Sequence, residues 1–153
     1  MKFFFLKPES KNFLVFDREG SNVFTFFFKK DDFEILDRRK ESINLYVVII
    51  TLFKSGLNQF VRNYFKNYIE IVKPKIVITF IDNNFRFFLL KKDYSKAKYI
   101  CIQNGCRDEN FFKELKKYYN LNKNLEIDYF FVFNKIMQKK LLPYIKSKYY
   151  YIG

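Results

Sequence analysis

Two short segments carry polar side chains that directly follow apolar runs of strand type. The first is Thr79-Phe80-Ile81-Asp82-Asn83-Asn84, where an acid and two amides close a β-branched stretch. The second is Ile100-Cys101-Ile102-Gln103-Asn104-Gly105-Cys106-Arg107, two amides, a glycine and a cation after a similar stretch. In open α/β sheets ligands bind in the crevice outside the carboxyl ends of the strands, so these are the places to look for chemistry. Asp82 and Asn83 have the side chains to hydrogen-bond the hydroxyls of a sugar-like or polar acceptor. Equally, Asp82 or Asn83 is suited to cap the helix that follows. Gln103, Asn104, Gly105 and Arg107 form the candidate substrate-binding set. Gly105 is free to take positive φ in an Asn-Gly turn, whose amides, with Arg107, suit a phosphate or a carboxylate. The alternative is a plain strand-to-helix loop.

Much other chemistry is excluded. The 153 residues contain no His, which removes a Ser-His-Asp triad, a His general base and most zinc sites. Two cysteines cannot make a four-thiolate metal site or a disulfide scaffold. Cys101 reads as core, and Cys106, beside Arg107 but with no His to pair with, is a poor nucleophile. No GxGxxG or P-loop pattern occurs, so no dinucleotide or nucleoside-triphosphate site is expected. No metal site is expected either.

The elements that must hold these segments are legible. Asn12–Asp17, Phe33–Leu36, Lys75–Ile81, Tyr99–Ile102, Tyr129–Phe133 and Tyr149–Ile152 read as strands, short, apolar and bounded by polar or turn residues, with Lys75–Ile81, Tyr99–Ile102 and Tyr129–Phe133 apolar on both faces. Lys75–Ile81, the most β-branched, is expected at the centre of the sheet. Helices fill the gaps: Ile43–Lys54 capped by Ser42, Gln59–Val72 capped by Asn58 and stopped by Pro74, then Asn84–Lys92, Asp108–Tyr119 and Asn134–Ile145. Strand and helix alternate, which predicts an α/β, Rossmann-like, mostly parallel sheet with helices on both faces. No repeat or linker interrupts it, so residues 1–153 read as one domain. The final strand, ending on Tyr-Tyr-Tyr-Ile-Gly, reads as interrupted and suggests a larger protein.

The formal charge is +13, from 29 Lys and Arg against 16 Asp and Glu. Phe, Tyr, Ile, Lys and Asn supply 86 of the 153 residues, and Lys outnumbers Arg 23 to 6. All five have A/T-rich codons, so coding bias accounts for part of the charge; the remainder favours an anionic partner. Basic pairs recur at Lys29-Lys30, Arg38-Arg39-Lys40, Lys91-Lys92, Lys116-Lys117 and Lys139-Lys140, mostly as solvated helix faces. Cations interleave with aromatics at Lys116–Tyr119 and Lys146–Tyr151, the composition of a single-strand nucleic-acid platform. The core needs most of those rings, which weighs against nucleic acid. The apolar runs are far shorter than a spanning helix needs, and the start lacks a cleavage site after its short hydrophobic patch, so a cytoplasmic protein is expected.

At the same segments the sequence resembles the N-terminal half of bacterial surface-carbohydrate biosynthesis proteins, glycosyltransferase-like and of GT-B type. The family carries a run similar to Lys73-Pro74-Lys75-Ile76-Val77-Ile78-Thr79-Phe80-Ile81-Asp82-Asn83. About twenty residues on it has one similar to Ile102-Gln103-Asn104-Gly105-x-Arg107. Phe13–Asp17 with Gly20-Ser21, Ser42–Leu45, Asp128–Phe133 and Ile152-Gly153 look alike too, so the resemblance covers nearly the whole chain. It implies a single Rossmann-like domain on the acceptor side of a two-domain enzyme that builds cell-surface polysaccharide. Asp82, Asn83, Gln103, Asn104, Gly105 and Arg107 would line that side, facing a saccharide or lipid-linked acceptor, with Asp82 the candidate catalytic carboxylate. The nucleotide-sugar donor would sit on a second domain absent from this chain, with no cofactor or metal bound here and this chain inactive alone. Such a protein works in the cytoplasm, at the inner face of the membrane, with peripheral membrane association. The competing expectation is a basic binding module for RNA or an anionic membrane surface.

Overall fold

The computed structural model describes residues 2–37 and 42–153, so the basic run Arg38-Arg39-Lys40 lies outside the described residues. Its strands are β1 (Lys2–Phe4), β2 (Phe13–Phe16), β3 (Phe33–Leu36), β4 (Ser42–Asn44), β5 (Ile76–Thr79), β6 (Lys98–Ile102), β7 (Leu125–Val132) and β8 (Ile145–Tyr151). Its helices are α1 (Asn22–Phe27), α2 (Leu45–Ser55), α3 (Phe60–Val72), α4 (Phe87–Asp93), α5 (Glu109–Asn122) and α6 (Lys135–Leu141). Six strands form a mostly parallel sheet in the order β3-β2-β5-β6-β7-β8, flanked by helices. The α/β, Rossmann-like class expected from the sequence is therefore observed, with β5 interior to the sheet.

The chain divides into two compact units, Met1–Val77 and Ile78–Gly153, and the division falls inside β5. In the first unit Leu14, Val15 and Phe16 are fully buried, and Phe16 meets Phe65 of α3 edge-on at 5.4 Å. Residues Tyr64, Phe65, Tyr68, Ile69 and Val72 give α3 its buried stripe, at the spacings of three and four that define one helix face. Asn67 Nδ2 donates to Thr51 Oγ1 at 3.0 Å, tying α3 to α2. Before Pro74, Lys73 takes the left-handed conformation, φ 55°, that ends the helix.

Local chemistry explains where the elements depart from expectation. Ser42 does not cap α2: its hydroxyl donates to Asp37 at 3.2 Å, and Ser42–Asn44 pairs as a strand with Lys2–Phe4. The cap is Asn44, whose Oδ1 accepts from the Val47 amide at 3.1 Å. Asn58 does not cap α3 either. Gln59 occupies that position at φ 45°, and the Asn58 carbonyl accepts from Asn63 Nδ2.

In the second unit β6, β7 and β8 pair in parallel, with Cys101 opposite Phe130 and Phe130 opposite Tyr149. Phe130 is fully buried between Phe88 of α4 and Tyr149 of β8, at ring distances of 5.7 Å on each side. Strand β7 begins four residues before the expected Tyr129, because Leu125 and Ile127 are core residues; a bulge lies between Glu126 and Tyr129. Asp108 and Asn134 cap α5 and α6 through the Phe111 and Met137 amides, at 2.9 and 3.0 Å.

Candidate functional site

Both segments singled out in the sequence lie in the second unit and meet through one ion pair. Asp82 follows β5 and is 1% exposed. Arg107, five residues past β6, donates from Nε to Asp82 Oδ2 at 2.8 Å and from Nη2 to Asp82 Oδ1. This two-pronged geometry is the one in which guanidinium and carboxylate bond best. Nη2 also donates to Asn104 Oδ1 at 2.6 Å, Nη1 to the Cys106 carbonyl at 3.3 Å, and the Asn104 amide to Asp82 Oδ1 at 3.4 Å. Hydrogen bonding to Asp82 holds the Arg107 pKa above its ordinary value, against the opposing effect of burial.

The amide of Gln103, itself buried, works as a stitch. Its Nε2 donates to the Gly105 carbonyl at 2.8 Å and its Oε1 accepts from the Phe133 amide at 3.0 Å, tying the loop after β6 to the end of β7. Gly105 is not at positive φ, contrary to the turn expected there. A Cβ on it would lie 3.4 Å from Arg107 Nη1, so the guanidinium packs over the glycine backbone. Cys101 is buried, and that burial raises its thiol pKa well above the ordinary value; Cys106 is exposed.

The structure thus joins Asp82, Gln103, Asn104, Gly105 and Arg107. Asn83 stays outside the clamp, with its side chain exposed. Neither Asp82 nor Asn83 caps α4: that helix begins later, with Arg86 at the cap position. The geometry also redistributes the expected roles. Both carboxylate oxygens of Asp82 are taken, and the group is out of reach of solvent, so it positions Arg107 rather than standing ready as a base. Arg107 in turn commits four of its five N–H donors inside the protein and is neutralised by Asp82, which leaves little for a phosphate. Among the described residues no group of three or more acids or cysteines is placed to hold a metal ion.

Two features here lie outside the expected site set. Asn84 is buried, and its Nδ2 has no hydrogen-bond partner, a costly state for an amide donor. The only hint was its place beside Asp82. The second feature is aromatic: the Arg107 guanidinium lies over the Phe111 ring at 5.4 Å, Phe111 packs on Phe85 at 5.4 Å, and Phe85 on Tyr118 at 5.6 Å. These three rings are half-buried, so they retain faces toward solvent. No sequence pattern joins residues 85, 107, 111 and 118; only the fold does. Compared with known proteins, the chain matches no family model, no curated protein and no solved structure. Among the described residues no helix is long and apolar enough to cross a membrane.

Proposed function

We propose that this chain is the acceptor-side domain of a glycosyltransferase-like protein in cell-surface polysaccharide biosynthesis. One observation carries the reading: the Asp82–Arg107 pair draws the two strand-end segments together beside the Phe85–Phe111–Tyr118 platform. A saccharide presents hydroxyls, which amides bond, and C–H faces, which aromatic rings cover; few polar groups on an apolar wall is the usual make-up of such sites. In this reading the exposed amides of Asn83 and Asn104 bond acceptor hydroxyls and the platform takes the ring. Asp82, Gln103, Gly105 and Arg107 hold the loops in register. The nucleotide-sugar donor belongs to a second domain, and the acceptor, a saccharide free or lipid-linked, is met in the cytoplasm at the inner face of the membrane.

The alternative of a basic module for nucleic acid draws on Lys113, Lys116 and Lys117, exposed along α5. Lys140 lies over Phe112 at 5.1 Å and Lys123 over Tyr119 at 5.0 Å, as Arg107 does over Phe111, so bases would stack on the remaining ring faces. Titrating the isotope-labelled chain with neutral, acidic and lipid-linked oligosaccharides separates the two. Shifts of the Asn83 and Asn104 side-chain amides and of the Phe111 ring, lost in Tyr118→Ala, are expected. Silence of these signals across the panel, with single-stranded RNA moving the α5 amides instead, overturns the saccharide reading.

A further inference from the structure

Helix α2 is apolar almost all the way round, yet one side of it is not covered. Its only charged residue is Lys54, in the last turn, and only Val47 and Thr51 are buried. Ile49, Leu52 and Phe53 are exposed at the three- and four-residue spacing of one helix side, and Leu57 in the following turn and Val61 in the first turn of α3 are exposed as well. Phe53 is 89% and Leu57 82% exposed, and contiguous exposed apolar residues mark surfaces of interaction. A helix without a polar face belongs in a core or in a membrane. The turn that follows α2 is open: a Cβ on Gly56 would meet nothing within 4 Å.

Cations flank this apolar tip along the chain. Lys54 ends α2, Arg62 lies in the first turn of α3, and Lys66 is one turn further. The one acid of the hairpin, Glu70, lies a turn beyond Lys66 and within 4.0 Å of both lysines. We propose that the tip of the α2–α3 hairpin docks on an anionic lipid surface, with Phe53 and Leu57 in the acyl boundary and Lys54, Arg62 and Lys66 at the headgroups. Apolar tip and basic collar are what an interfacial membrane element requires, and the chain's +13 charge complements an anionic leaflet. A second copy would bring two sets of the same three cations together. The inference rests on the membrane-face placement proposed above, not on the saccharide reading.

The test uses the whole chain and sedimentation with vesicles of phosphatidylcholine, alone or mixed with phosphatidylglycerol. Partition to the mixed vesicles is expected, weaker on the neutral ones, and lowered roughly 10-fold or more in Phe53→Ser/Leu57→Ser. The chain has no Trp, so Phe53→Trp supplies a lone reporter whose emission should move to the blue with mixed vesicles only. No partition, partition unchanged in the double variant, or an unmoved Trp emission overturns the proposal. So does vesicle-independent dimerisation abolished by the double variant, or RNA binding abolished by it without vesicle binding. None of these outcomes touches the oligosaccharide titration, whose reporters lie in the other unit.

Discussion

Asp82 illustrates how a residue's surroundings choose between the roles its chemistry permits. A carboxylate at a strand end suits a base, a cap or a sugar ligand, and burial decides among them. Sequestered from water, the charge needs a partner of opposite sign with good geometry, and Arg107 provides it from two nitrogens. Removing the arginine alone leaves an uncompensated buried charge. Arg107→Ala should therefore cost about 3–5 kcal/mol in urea unfolding, while Asp82→Asn/Arg107→Ala should recover part of that loss. A single variant within about 1 kcal/mol of the parent would show that the pair does not hold the two loops. Gln103 makes a related point: its type suggests a ligand contact, but both ends of its amide are consumed inside the protein.

At the scale of elements, strands and helix starts are largely legible in the sequence because their causes are local. Phe33–Leu36 coincides with the expected strand, and α5 and α6 begin one residue after the expected Asp108 and Asn134, which turn out to cap them. Ser42 and Asn58 do not cap theirs, because long-range pairing of β4 with β1, and the tight turn between α2 and α3, override local cap preference. Asp128 ties β7 to its neighbours: it accepts from the Tyr99 amide of β6 at 2.9 Å, from Lys91 of α4 at 3.2 Å and from Lys98 at 3.3 Å. Burial raises its pKa, but those donors together outweigh burial and hold it below the ordinary 3.8. A depressed carboxylate lends stability that is present above the ordinary value and lost as pH falls through the folded one. Asp128→Asn should thus be less stable than the parent at neutral pH, with the difference shrinking below about pH 4 in denaturant titrations. A constant difference down to pH 2 would contradict the assignment.

For the whole molecule the excess of cations governs the electrostatics. Like charges repel within the folded state, and salt screens them over a Debye length of about 10 Å at 0.1 M. The melting temperature should therefore rise by a few degrees (about 2–5 °C) between very low ionic strength and 0.15 M sodium chloride. A fall would mean that attractive ion pairs such as those around Asp128 dominate instead. The sequence by itself determined the α/β class, the interior place of β5 and the two strand ends at which polar groups emerge. These follow from runs of β-branched and apolar residues and from proline, all of which act within a few neighbours. Only the tertiary structure decided that Asp82 and Arg107 neutralise each other, that Gln103 faces inward, and that Phe85, Phe111 and Tyr118 gather beside them. It also decided that α2 keeps one side uncovered. Burial and partner choice depend on which distant residues the sheet order brings together, and no local periodicity encodes that order.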